Sequence, residues 1–218
     1  PAPDDADTRR WLGDIQSHDT LSIYAHIPFC ERLCWYCGCH TSVPNGYARV
    51  ARFLDHLKRE IDLWGEALPA HAGTAHLHFG GGSPNSLNTG DFADLLALLA
   101  TRFRLRPGAE VAVELDPGTL QREFAGGLGA AGVTRASLGV QTFDPEVQRL
   151  VNRFQPVEQV ATAVDDLRGG GVAAINFDMM YGLPGQTCAN VAASMATALA
   201  LEPDRVALFG YAHVPWMK

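Results

Sequence analysis

From Leu21 onward the chain alternates short β-forming runs with longer stretches of helical periodicity. The runs LSIYAHI (21–27), TAHLHF (74–79), EVAVELD (110–116), TRASLGV (134–140), VAAINFDMM (172–180) and DRVALF (204–209) predict six strands. Between them, YARVARFLDHLKREIDLW, DFADLLALLATRF and NVAASMATALALE read as amphipathic helices. This alternation implies right-handed crossovers and a parallel sheet, with ligands expected at the carboxyl ends of the strands. Within the strands, period two separates an apolar side from a polar or small one: Leu21, Ile23, Ala25 and Ile27 oppose Ser22, Tyr24 and His26. Likewise Leu77 and Phe79 oppose His76 and His78, and Val111, Val113 and Leu115 oppose Ala112, Glu114 and Asp116. Leu138 and Val140 oppose Ser137, Gly139 and Gln141, and Ile175 and Phe177 oppose Asn176 and Asp178. Helices over the apolar sides leave the polar sides to converge on a common interior, lined as a site would be. The expected architecture is an α/β fold, a partial (β/α)6 TIM-like barrel. A doubly wound sheet is the competitor, but it would want both faces of its central strands apolar.

Composition narrows the classes. A chain of 218 residues with 47% hydrophobic content buries a sizeable core and is read as one domain, residues 21–218, preceded by an extension over 1–20. Mean hydropathy is −0.02 and no apolar run approaches the roughly 20 residues of a membrane span, so no membrane partner is expected. A net charge of −7 with 17 scattered basic residues argues against a nucleic-acid surface. The amino end, PAPDDADTRR, lacks a starting Met and the apolar core of a signal peptide, as expected of a fragment. Of the five cysteines, four fall between Cys30 and Cys39, too densely for the paired staples of a secreted domain. Reduced thiols with a metal or redox role in the cytoplasm fit this spacing.

The segment YAHIPFCERLCWYCGCHT follows the first strand and places Cys30, Cys34, Cys37 and Cys39 at spacings of three, two and one. Structural zinc usually takes two separated pairs of ligands; here a second pair is absent, since Cys188 stands alone downstream. Three thiolates on a loop suit a four-iron, four-sulfur cluster whose fourth iron stays open to a ligand. A zinc site remains the alternative.

This loop resembles the signature of the radical S-adenosylmethionine (SAM) enzymes. HIPFC, the extra Cys39, HFGGGSP, ELDP, GVQTF, VNR, NFDMMYGLPGQT and FGYAHVP extend the resemblance, from Leu21 to Lys218, to the oxygen-independent coproporphyrinogen III oxidases of haem biosynthesis. The related haem chaperones usually carry Phe at the position of Cys39. The resemblance implies a 4Fe–4S cluster on Cys30, Cys34 and Cys37, one or two SAM molecules, and oxidative decarboxylation of two propionates of coproporphyrinogen III to vinyl groups, giving protoporphyrinogen IX. It also implies a low-potential electron donor, a cytoplasmic monomer, and a helical carboxyl-terminal domain beyond this chain. The alternatives are a haem-binding chaperone on the same scaffold, or a closed cluster or zinc module for electron transfer or structure.

Residue by residue, the resemblance assigns Gly81, Gly82 and Ser83 to the methionine end of SAM, with Ser83 where Thr is commoner; the alternative is a plain glycine turn. Glu114, Gln141, Arg153 and Asp178 are implied to bind SAM. Glu114 suits the ribose hydroxyls and Arg153, read as lying in the helical segment after strand four, suits a carboxylate. The alternative is a buried ion pair of Arg153 with Glu114 or Asp178. Tyr36 matches an aromatic of the cysteine loop. Tyr24 matches a cluster-side tyrosine, unless it is core packing. Cys39 is open between bystander, resting-state ligand and catalytic group on the substrate side. His26 and His213 face the interior, His56 and His71 read as surface or packing, and Arg32 and Arg49 are candidate cations for a polyanionic substrate. Gly127, Gly129 and Gly132 match G-x-G-x-x-G but lie between helix and strand, the reverse of a dinucleotide fingerprint, and read as a helix-ending loop. No phosphate-binding G-K-[ST] loop is possible, since Lys58 and Lys218 are the only lysines.

Overall fold

The computed structural model describes residues 4–212; His213 lies outside them. The extension carries a helix, α1 (Asp5–Gly13), capped by Asp4. Then follow β1 (Leu21–Ile27), α2 (Tyr47–Ala67), β2 (Thr74–Gly81), α3 (Thr89–Arg102), β3 (Leu105–Leu115), α4 (Arg122–Ala131) and β4 (Arg135–Gln141). Two helices, α5 (Pro145–Leu150) and α6 (Val157–Gly169), precede β5 (Ala174–Tyr181), α7 (Cys188–Ala200) and β6 (Arg205–Gly210). All six strands pair in parallel, in the order β1-β2-β3-β4-β5-β6. A doubly wound sheet reverses its strand order at a switch point. The sequential order here is that of the partial barrel.

Local chemistry starts the helices where the pattern changes. Asp144 caps α5 by accepting from the N–H groups of Glu146 and Val147, with Pro145 at the first helical position. Thr187 and Asn190 form a reciprocal capping box on α7. Ile27, Leu77, Phe79, Val113, Leu138 and Phe177 are essentially inaccessible under the outer helices, and Phe79, Phe92 and Phe124 stack at 4.9 and 5.3 Å. The opposite, inward residues Glu114, Gly139, Gln141 and Asp178 keep partial exposure.

Two expectations need correction. Gly127 and Gly129 lie inside α4, and only Gly132 ends that helix, in a left-handed conformation. A Cβ at Gly127 would stand 2.6 Å from Thr89, and one at Gly129 would collide with the Gly170 carbonyl, so these glycines allow α4 to pack closely against its neighbours. Arg153 is not helical: it sits in the connection between α5 and α6, just after Asn152 turns the chain with φ of 55°.

Candidate active site

The cysteine loop is fastened on both sides. Toward its start, Phe29 bridges to Ser42 and the Cys30 N–H donates to the Ser42 carbonyl at 3.1 Å. Toward its middle, the Trp35 N–H donates to Val151 O at 3.0 Å, Asn152 Nδ2 to Leu33 O at 2.9 Å, and Arg32 to Phe154 O at 2.9 Å. Tyr36 packs into a small apolar cluster with Val147, Val151 and Leu183. Burial there lifts its phenol well above the usual range. The loop therefore has one arrangement over the carboxyl ends of the strands.

Under it lies a cavity of about 170 Å³ lined by Cys30, Cys34, Cys37, Cys39, Tyr36, Gly81, Gly82, Ser83, Glu114, Gln141, Arg153 and Asp178. Twelve of the thirteen named site candidates thus meet at one cavity. Tyr24 does not line it: this tyrosine stands 55% exposed on the inward face of β1, with its hydroxyl 3.1 Å from His26 Nδ1. Arg32 lines the cavity too, whereas Arg49 lies over the Phe29 ring at 5.9 Å and lines a separate surface hollow with Phe53 and His56.

All five cysteines are free. The thiols surround a space rather than a point: among the described residues no three His, Cys, Asp or Glu side chains are placed to hold a single metal ion. Sulfur-directed donors are in place, Thr41 to Cys30 Sγ at 3.3 Å and Arg153 to Cys34 Sγ at 3.4 Å, as suits cluster-bound thiolates. A hydrogen bond from Cys39, outweighing burial, brings the Cys37 thiol down to about 6, and the same bond pushes Cys39 up. Burial raises Cys30, with Thr41 opposing it. The donor set fits a four-iron cluster held by Cys30, Cys34 and Cys37, with Cys39 beside it.

The strand ends are built for close approach. Gly81 has φ of 112°, and a Cβ there would stand 2.6 Å from the His26 ring, so a side chain is excluded. Ser83 is buried, bonded to Asn85 and accepting from the Asp116 N–H at 3.1 Å. Glu114 Oε1 accepts from His78 at 2.8 Å, and its other oxygen faces the Gly81 N–H at 3.4 Å. Asp178 accepts from Ser137 at 2.7 Å and from Asn176 at 2.8 Å; burial raises its pKa, with those two bonds opposing the shift. Gln141 adopts φ of 68°, a costly backbone for a non-glycine. The turn is held around it by Gln155, whose amide reaches the carbonyls of Gly139 and Val140, and by Gln148 on Thr142 O at 2.8 Å.

Arg153 pairs with neither Glu114 nor Asp178. Its partner is Asp116, at 3.2 Å, with both side chains almost enclosed. It also donates to Gly139 O at 3.0 and 2.6 Å. Burial works against its charge, but the Asp116 carboxylate beside it keeps the guanidinium protonated. Only the Nη1 contacts, 3.4 Å to Asp116 and to Cys34, are long enough for a bound carboxylate to displace readily. Period-two reading had placed Asp116, His78, Ser137 and Asn176 on the inward face, but strand alternation gives no sign of which of them touch the candidates.

Parallel strands in sequential order, a three-thiol loop after β1 and a glycine turn after β2 define a class. The chain matches the radical SAM superfamily over residues 24–197 and belongs to it. Among individual proteins, it is similar to the oxygen-independent coproporphyrinogen III oxidase of Bradyrhizobium diazoefficiens, with 45% identity over 100% of this chain and 48% of that protein. The solved coproporphyrinogen III oxidase of Escherichia coli, described as a radical SAM enzyme, superposes with a TM-score of 0.91 at 35% identity, covering 99% of this chain and 49% of that one. The radical SAM methyltransferase of Kitasatospora setae, with a TM-score of 0.59, 19% identity and coverage of 90% and 38%, shares the fold alone. The chain spans about half the length of the curated relatives it matches.

Proposed function

We propose that this chain is the cluster- and SAM-binding half of an oxygen-independent coproporphyrinogen III oxidase. The observation that carries the reading is the single cavity where Cys30, Cys34 and Cys37 meet Gly81, Gly82, Glu114, Gln141 and Asp178. Held by Cys30, Cys34 and Cys37, a four-iron cluster would supply the one-electron reduction of SAM from which the hydrogen-abstracting species comes. The chain's own residues orient and enclose. The Gly81–Ser83 turn admits the amino-acid end of SAM against the backbone, with Arg153 offering its displaceable Nη1 edge to the carboxylate. Glu114, held by His78, accepts from the ribose hydroxyls, and Gln141 and Asp178 bound the nucleoside side. Cys39 belongs to the substrate side, and Tyr24 to the cluster side. On each of two propionates, the β-carbon gives up a hydrogen atom to the radical derived from SAM, the bond to the carboxylate carbon then breaks to release carbon dioxide, and the remaining electron passes to a one-electron acceptor, leaving a vinyl group.

The reading further takes a low-potential electron donor as reductant and a monomer working in a reducing cytoplasm. No described helix is long and apolar enough to cross a membrane. The test is anaerobic incubation of the reconstituted chain, alone and extended to the length of its relatives, with SAM, reductant and coproporphyrinogen III. Vinyl products from the extended protein support the reading. Haem uptake without vinyl formation overturns it in favour of a carrier.

A further inference from the structure

A second cavity, about 570 Å³, opens beside Cys37 and Cys39 and runs down the barrel to Arg135 and Arg205, the first residues of β4 and β6. Its charges are sorted. Glu114 and Asp178 lie toward the cysteine loop, and the two guanidiniums lie at the far end, Arg135 half-buried and Arg205 exposed. Arg205 is in register with Asn176, which is in register with Ser137, itself opposite Glu114, so one row of paired residues joins the two ends. Arg135 gives Nη2 to Glu110 at 2.9 Å, and its Nε is buried without a partner. Arg205, exposed at the start of β6, forms no ion pair among the described residues, and its charge adds to the Arg135 hydrogen bond in holding Glu110 below the usual carboxylate range. Arg135 is thus engaged by Glu110, and Arg205 brings a second guanidinium to the same wall of the cavity.

We propose that the arginine end of this cavity is a carboxylate subsite, in which Arg205, backed by Arg135, receives an anionic arm of the substrate. The inference rests on the porphyrinogen reading above, since that substrate carries four propionates around an apolar ring. The acidic half of the cavity repels such an arm and the basic end attracts it, so the charge pattern orients the ring as well as retaining it. A guanidinium–carboxylate contact in a partly open cavity is worth roughly a factor of ten in affinity.

The test is fluorescence titration of the cluster-loaded chain with coproporphyrin III, the unreactive oxidised analogue bearing the same four propionates. Arg205→Met should weaken binding about tenfold and flatten its salt dependence. Glu110→Gln, which frees Arg135, should tighten binding, a direction that mere structural damage would not produce. SAM affinity should stay unchanged in both variants. Coproporphyrin binding indifferent to Arg205, a loss in Glu110→Gln equal to that in Arg205→Met, or an equal loss of SAM affinity would each overturn the subsite while leaving the oxidase reading in place. No coproporphyrin binding by the unaltered chain would overturn the subsite alone, since the oxidase reading is tested on the extended protein.

Discussion

Arg153 ties three segments together, so its removal tests the geometry of the site without any cofactor. Arg153→Met leaves the Asp116 carboxylate enclosed, with the Gly118 N–H at 2.9 Å as its remaining close donor, and strips the Gly139 carbonyl of two bonds. Orphaning one member of a buried ion pair costs about 3–5 kcal/mol. In a domain of this size each kcal/mol moves the midpoint by roughly 2–4 °C, so the cluster-free chain should melt about 6–20 °C lower. Adding Asp116→Asn removes the stranded charge and leaves chiefly the lost carbonyl bonds, about 1–3 kcal/mol. The double variant should therefore be more stable than Arg153→Met alone. Thermal melts by far-ultraviolet circular dichroism, paired with urea midpoints, measure all three variants. Additivity of the two single effects within about 0.5 kcal/mol, or a melt of Arg153→Met within 2 °C of the parent (below the ~6 °C lower bound), would refute the buried-pair argument.

Three further outcomes follow from the same structure. Asp178 has a raised pKa, so its favourable contribution is complete only below the unfolded carboxylate value and is lost as pH rises through the folded one. Asp178→Asn should therefore raise the melting midpoint at neutral pH, the gain shrinking as pH falls into the ordinary carboxylate range; a loss of stability at pH 7 would contradict this. In α4, Gly126→Ala meets open space and should stabilise by about 0.5–1 kcal/mol, whereas Gly129→Ala runs into the Gly170 carbonyl and should cost roughly 1–3 kcal/mol, as urea midpoints would show. Ser substitutions at Cys30, Cys34 or Cys37 should each abolish iron and sulfide retention on reconstitution, while Cys188→Ser, at the exposed start of α7, should retain both.

The strands were legible because alternation records which side of the sheet is covered. β1 matches the expected run residue for residue, and β4 and β6 are displaced by one residue. β3 begins earlier, at Leu105, because Arg106-Pro107-Gly108 reads as a turn while Leu105 still pairs with Thr74 across an irregular register. The cysteine loop was legible because thiol spacing is itself a chemical constraint. The Arg153–Asp116 pair was not, since it joins connections 37 residues apart and only the packed barrel brings them together. The role of His78 was hidden in the same way: its face could be read, but its contact with Glu114 crosses from β2 to β3. The α4 glycines misled because their purpose, close helix packing, is invisible without the neighbouring helix.

The central claim is that three thiolates hold a cluster with one iron left for SAM. Mössbauer spectroscopy of the chain reconstituted anaerobically with ⁵⁷Fe, before and after addition of SAM, measures it directly. Four irons per chain, with one site changing its parameters when SAM is added and the same response in Cys39→Ser, is the expected result. A spectrum unmoved by SAM, or a chain that retains stoichiometric zinc and no iron, would contradict it.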